Sequence, residues 1–114
     1  MGLTTHILDT AHGAPAAGVD IRLYALGDGR VLLASAVTNS DGRTDHALVD
    51  DDALRTGSYE LEFDIGGYFE SLGHGLAEPP FLGTVVIRVT LIAGQHYHVP
   101  LLVSPWGYST YRGS

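Results

Sequence analysis

The sequence predicts an all-β protein, an antiparallel β-sandwich with one minor helix. Three observations predict it. Apolar and polar residues alternate strictly through several short runs, glycine- and aspartate-rich turn signals separate those runs, and only one short segment has helical spacing.

In chain order, a first strand is expected at Leu3–Asp9. Val19, Ile21 and Leu23 then alternate with Asp20, Arg22 and Tyr24, giving one apolar and one mostly polar face. Gly27-Asp28-Gly29 reads as a hairpin connection into a strand over 31–38, because glycine reaches positive φ cheaply. Asp41-Gly42 is a second connection of that kind, followed by a short strand at 47–49 and an exposed turn at Asp50-Asp51-Asp52. Tyr59, Leu61, Phe63 and Ile65 alternate most cleanly of all, against Ser58, Glu60, Glu62 and Asp64. The helical segment is expected over 68–76, with Phe69, Leu72 and Leu76 on one face. Gly66-Gly67 before it and Gly73 and Gly75 within it should keep it short. Val85, Ile87, Val89 and Leu91 form a further strand, and the last two are expected at Tyr97–Ser104 and 108–112. Pro100 lacks an N–H, so it must sit at a sheet edge, at a bulge, or with its nitrogen facing away from the ladder.

At 114 residues the chain is expected to form one domain over 1–114 that buries roughly two thirds of its unfolded surface. No apolar run approaches the ~20 residues of a membrane-spanning helix, and no basic stretch with an apolar core reads as a secretory signal. Cysteine is absent, which excludes disulfides and cysteine nucleophiles; the expected location is cytoplasmic. The formal charge is −7 and all six basic residues are arginine, with no basic cluster. Nucleic acid and anionic membranes are therefore excluded as partners. One added charge on each of the six histidines would leave −1, so solubility should fall as imidazoles protonate near ~6.5.

Residues that carry chemistry lie in three distant blocks. His96 and His98 are two apart in an expected strand and so should share a face about 6.6–6.8 Å apart. By themselves they allow a metal pair, a base with a structural neighbour, or hydrogen-bonded strand histidines. His6 stands in Leu3-Thr4-Thr5-His6-Ile7-Leu8-Asp9-Thr10. Of two Asp-Gly-Arg tripeptides, Arg30 follows a hairpin and reads as solvated, whereas Arg43 lies in Thr38-Asn39-Ser40-Asp41-Gly42-Arg43-Thr44-Asp45. Arginine stays protonated, so its use is to orient carbonyl oxygens, stabilise an oxyanion or keep a nearby histidine neutral. His12, His46 and His74 read as solvated, and Trp106 as packing that supports the tail. The aspartate run lacks the spacing of a calcium loop, and no phosphate loop is present.

The last residues, Tyr111-Arg112-Gly113-Ser114, combine an aromatic, a permanent cation, a glycine and a hydroxyl after an apolar strand, which points to a site. Ser114 has no nucleophile-elbow context, so orienting substrate or water suits it better than attack. With His98-Val99-Pro100-Leu101-Leu102, the His6 block and the Arg43 block, this ending resembles the 5-hydroxyisourate hydrolase family, the purine-catabolic branch of the transthyretin-like proteins. The resemblance runs from Leu3 to Ser114.

It implies a transthyretin-like sandwich of two four-stranded sheets with one short helix, assembled as a homotetramer, a dimer of dimers with sites at the dimer–dimer interface. It implies that His6, Arg43 and His98 are catalytic and that Tyr111, Arg112, Gly113 and Ser114 line the substrate site. The implied reaction is hydrolysis of 5-hydroxyisourate to 2-oxo-4-hydroxy-4-carboxy-5-ureidoimidazoline, with neither metal nor organic cofactor. Either His98 or His6 serves as the base, and Arg112 either contacts substrate or locks the tail. Two other readings of the same residues are a small-ligand carrier on the same sandwich and a metal scaffold on His96 and His98.

Overall fold

Strand alternation becomes two stacked sheets in the computed structural model, which describes residues 2–73 and 79–113. The order is β1 (Leu3–Asp9), β2 (Ala14–Pro15), β3 (Asp20–Leu26), β4 (Arg30–Val37), β5 (Gly57–Asp64), α1 (Ile65–Ser71), β6 (Thr84–Leu91), β7 (Tyr97–Ser104) and β8 (Gly107–Thr110). One sheet runs β2-β1-β7-β8 and the other β4-β3-β5-β6. Their facing sides bury Leu3, Ile7, Val99 and Leu101 against Ile21, Leu23, Leu61 and Phe63. Each such side chain contributes about 1.5–3 kcal/mol on leaving water.

Pairing is antiparallel except between β1 and β7, which run parallel from Leu3↔Tyr97 to Asp9↔Val103. Parallel neighbours need a long crossover, and here the whole second sheet lies between them in sequence. Alternation within a strand carries no information about the direction of its neighbour. The parallel register is what sets Thr4 beside His98 and His6 beside Pro100.

Several local expectations are corrected. No strand forms at 47–49; Val49 makes only an isolated bridge to Leu3, and Arg43 another to His6. The segment from Gly42 to Val49 thus runs along the edge of β1 that β2 leaves uncovered, tied by Ile7 N to Gly42 O (2.8 Å) and Leu48 N to Leu3 O (2.8 Å). β2 is a two-residue strand too short to show alternation. The helix begins at Ile65, three residues before the expected start, with Asp64 as N-cap accepting from Gly67 N at 3.0 Å. Gly66 and Gly67 open that helix instead of preceding it. A Cβ on Gly67 would meet Asp64 Oδ2 at 2.5 Å, so glycine admits the cap. The expected end of the helix, with His74, Gly75 and Leu76, lies outside the described residues.

Pro100 meets its constraint inside the sheet. His98 O accepts from Gly113 N, so the polar backbone groups of His98 and, two residues on, Pro100 face β8. β8 stops at Thr110 opposite Leu101, one rung before Pro100. The chain then resumes the same register at Gly113 opposite His98. The missing N–H of Pro100 removes one rung, and the Thr110 hydroxyl compensates by donating to Pro100 O at 2.7 Å.

Candidate active site

The outer face of the β2-β1-β7-β8 sheet gathers the polar residues of three segments. Along β1, Leu3, Thr5, Ile7 and Asp9 are buried while Thr4, His6 and Leu8 are half-buried on the other face. Along β7, His98 likewise alternates with buried Tyr97 and Val99. Parallel pairing therefore puts Thr4, His6 and His98 on one face, and the bridge at His6 brings Arg43 alongside.

Gly42 decides where Arg43 stands. Its φ is +75°, and a Cβ there would lie 2.4 Å from the carbonyl oxygen of Ile7. Only glycine fits both the left-handed backbone and this approach. Asn39 closes the turn, its Oδ1 accepting from Asp41 N (2.9 Å) and Arg43 N (3.2 Å). Arg43 is exposed, and among the described residues its guanidinium makes no hydrogen bond or ion pair.

The two histidines present different ring nitrogens. His6 Nε2 lies 2.8 Å from Asp41 O, and a carbonyl only accepts, so His6 donates from Nε2. His98 Nδ1 lies 2.9 Å from Thr4 Oγ1, and among the described residues its Nε2 makes no hydrogen bond. Burial pushes the His98 imidazole below its ordinary value of 6.5, and the positive charge of Arg43 and then of His6 push it the same way. His98 is therefore neutral at pH 7, with a lone pair to offer. A groove of about 400 Å³ adjoins this face, lined by Thr4, Arg43, Thr44, Asp45, His46 and Asp50 among others.

The tail divides between two faces. Gly113 lies against His98, and a Cβ on it would meet the ring's Cδ2 at 2.7 Å. Tyr111 is 60 % exposed. Arg112 turns to the opposite side of the sheet, its guanidinium 4.4 Å from the ring centroid of buried Tyr97 and donating to Gln95 Oε1 and His96 O, both at 3.3 Å. Ser114 lies outside the described residues.

The remaining candidates stand apart. His96 precedes β7 instead of pairing with His98 on a strand face; its Nδ1 is 3.1 Å from Asp51 and 3.3 Å from Gly2 N. Among the described residues no three His, Asp or Glu side chains are grouped to hold a metal. Arg30 is not simply solvated: it pairs with Glu60 and Glu62 and stacks 3.5 Å over Tyr24, on the other sheet. Nor is His12, whose Nδ1 lies 2.6 Å from buried Asp9 Oδ2, which also accepts from Tyr68. Trp106 stands largely exposed beside Phe81, at 6.0 Å between ring centroids. Sequence reasoning passed over Thr4, although its place two residues before His6 already set both on one strand face.

Comparisons with known proteins bear on this arrangement. A 5-hydroxyisourate hydrolase of Deinococcus radiodurans is 53 % identical over 115 residues, spanning 99 % of this chain and 96 % of that protein. Among solved structures, the 5-hydroxyisourate hydrolase of Klebsiella pneumoniae superposes with a TM-score of 0.82 at 36 % identity, each chain covered in full. Sea bream transthyretin in complex with thyroxine superposes with 0.88 at 28 % identity, covering 99 % of this chain and 95 % of that one. The family model described as HIUase/Transthyretin family matches residues 3–113, from the first strand that carries Thr4 and His6 to the glycine packed on His98, and the chain belongs to that family.

Proposed function

We propose that this chain is a 5-hydroxyisourate hydrolase, a single catalytic domain that opens the substrate's six-membered ring at a cyclic amide-type C–N bond. The observation that carries this reading is a neutral His98 beside the permanent charge of Arg43 and the donor His6 on one open sheet face. The Deinococcus relative, half identical over its whole length, carries that activity in its name.

In the reaction, Nε2 of His98 takes a proton from water as the oxygen attacks the ring carbonyl. Arg43 stabilises the negative charge that develops on the carbonyl oxygen. Collapse of the tetrahedral intermediate breaks the C–N bond, and the proton held by His98 passes to the departing nitrogen. His98 serves as base in preference to His6, because its Nε2 makes no hydrogen bond among the described residues and burial and Arg43 favour its neutral form, whereas His6 is tied to Asp41 O. A general base supplies ~10²–10⁴-fold and an oxyanion donor ~10²–10³-fold. Tyr111 and Gly113 hold the substrate ring against the His98 face, Ser114 is the remaining substrate-binding residue of this proposal, and Arg112 fastens the tail from behind. Hydrolysis balances with water alone, so no cofactor is invoked.

A homotetramer completes the site in this proposal. Among the described residues β6 and β8 each leave one strand edge unpaired, with Val86, Ile92 and Tyr108 exposed nearby, and such edges favour pairing with further copies. The cytoplasm is the proposed location.

The transthyretin match favours a second reading, a small-ligand carrier, since backbone similarity alone does not separate the two roles. A carrier has no use for a neutral histidine paired with a free cation. The deciding experiment follows 5-hydroxyisourate, made fresh by urate oxidation, with and without the untagged protein. Acceleration in proportion to protein, lost in His98→Ala, is the expected result. Decay no faster than the spontaneous rate with folded protein would exclude the hydrolase and leave the carrier.

A further inference from the structure

We infer that Thr4 is a positioning residue for His98, holding its imidazole with the proton on Nδ1 and the lone pair on Nε2. This rests on the hydrolase reading for its consequence, though not for its geometry. Thr4 stands directly across from His98 in the parallel β1–β7 ladder, and its Oγ1 is 2.9 Å from Nδ1. The same oxygen lies 3.5 Å from the carbonyl of Tyr97, with the geometry of a donor. A hydroxyl has one proton, and a carbonyl can only accept. Directed at Tyr97 O, that proton leaves Oγ1 to accept from Nδ1–H, the one arrangement that serves both contacts at once.

The β-branched side chain has few χ1 options in a strand, so the hydroxyl stays in place. Gly113 packs against the other side of the ring, with room for no Cβ. The imidazole is thus held between a hydrogen bond on one edge and the tail on its flank, its remaining nitrogen directed elsewhere. His6 keeps a hydrogen on Nε2, donated to Asp41 O. The two histidines of the site are thereby made unlike, one offering a lone pair from Nε2 and the other a proton from it.

The test labels the full chain with ¹⁵N-histidine and reads the His98 tautomer from two-bond ¹H–¹⁵N correlations above neutral pH, alongside steady-state kinetics. In the wild type, His98 is expected as the Nδ1–H form. In Thr4→Val, which keeps shape and strand preference, that signature should give way to mixed tautomers. Its kcat should fall about 10–100-fold with KM within about twofold, the range typical of groups that orient a reacting imidazole. Thr4→Ser, which restores the hydroxyl, should recover kcat to within about threefold of wild type. An Nε2–H tautomer at His98 in the wild type overturns the inference without any variant, as does an unchanged kcat in Thr4→Val. A Thr4-dependent Nδ1–H tautomer in a protein with no hydrolase activity would support the positioning and overturn only the reaction.

Discussion

Adding a single methyl group at Gly113 should disable the site while leaving the fold intact. In Gly113→Ala the new Cβ would sit 2.7 Å from His98 Cδ2 and 3.3 Å from its Cβ and Cγ, where ordinary contact begins at 3.4 Å. Something must give by about 0.7 Å. If the ring yields, it is driven off its seat toward Thr4 on its other edge, and the 2.9 Å contact to Thr4 is compressed or turned out of line. If the tail yields, the Gly113 N to His98 O bond at 2.7 Å is strained or lost, and Gly113 leaves the face. Displacements of this size cost up to about 10²-fold in rate when the moved group must meet a reacting atom. Stability should fall by only about 1 kcal/mol, because one bond near the chain end is at stake. The assay is kcat on fresh 5-hydroxyisourate with a parallel urea titration. Gly107→Ala is the control, since a Cβ there meets nothing within 4 Å and the backbone is ordinary. Full turnover in Gly113→Ala would show that neither the tail nor the ring placement matters, and the proposed role of Gly113 would be withdrawn.

Other outcomes follow from the same geometry. Because the His98 imidazole lies below its ordinary 6.5 and acts when neutral, kcat/KM should rise through a midpoint below that value and level off by neutrality. In Arg43→Gln one positive neighbour is gone, so the midpoint should move to higher pH while the plateau falls about 10²–10³-fold; an unmoved midpoint would contradict the assigned electrostatics. The stability linked to His98 should be present above its unfolded value and be lost as pH falls through the folded one, measurable as a lower urea midpoint in acid. Gly42→Ala should cost at least about 2 kcal/mol, since left-handed backbone and a 2.4 Å approach to Ile7 O both resist a side chain; chemical unfolding would reveal it, and a wild-type midpoint would refute it. Burial pushes the Asp9 carboxyl up, but hydrogen bonds from Tyr68 and His12 outweigh it and leave the group below its ordinary 3.8. Its contribution is therefore present above 3.8 and lost as pH falls through the folded value. Tyr68→Phe should remove about 1.5–3 kcal/mol while sparing kcat, because Asp9 faces the core and not the His98 face.

Alternation made the two-sheet architecture legible. Leu3–Asp9, Thr84–Leu91 and Tyr97–Ser104 fall where the sequence places them, because a half-buried strand writes its burial pattern into residue type at every second position. The expected strand at 47–49 fails for the complementary reason. Its apolar residues, Ala47, Leu48 and Val49, form no alternation, and they serve to seal the edge of β1 through isolated bridges. At the helix, Gly66-Gly67 reads as a breaker when propensity alone is considered. Close approach of the Asp64 cap and of Leu82 makes those glycines part of the first turn.

Residue types and local spacing determined the all-β class, the strand faces, the acidic net charge, and the three blocks in which His6, Arg43 and His98 stand. Strand direction, and the partner of each ring nitrogen, were decided only by tertiary structure. The parallel β1–β7 register opposes Thr4 to His98, the Asp41 carbonyl occupies one nitrogen of His6, and the shared β8 register sends Arg112 behind the sheet while laying Gly113 against His98. The physical reason is that side-chain periodicity is a property of one strand, whereas proton placement and charge proximity depend on atoms from different segments, 35 residues apart for His6 and Asp41 and 94 for Thr4 and His98.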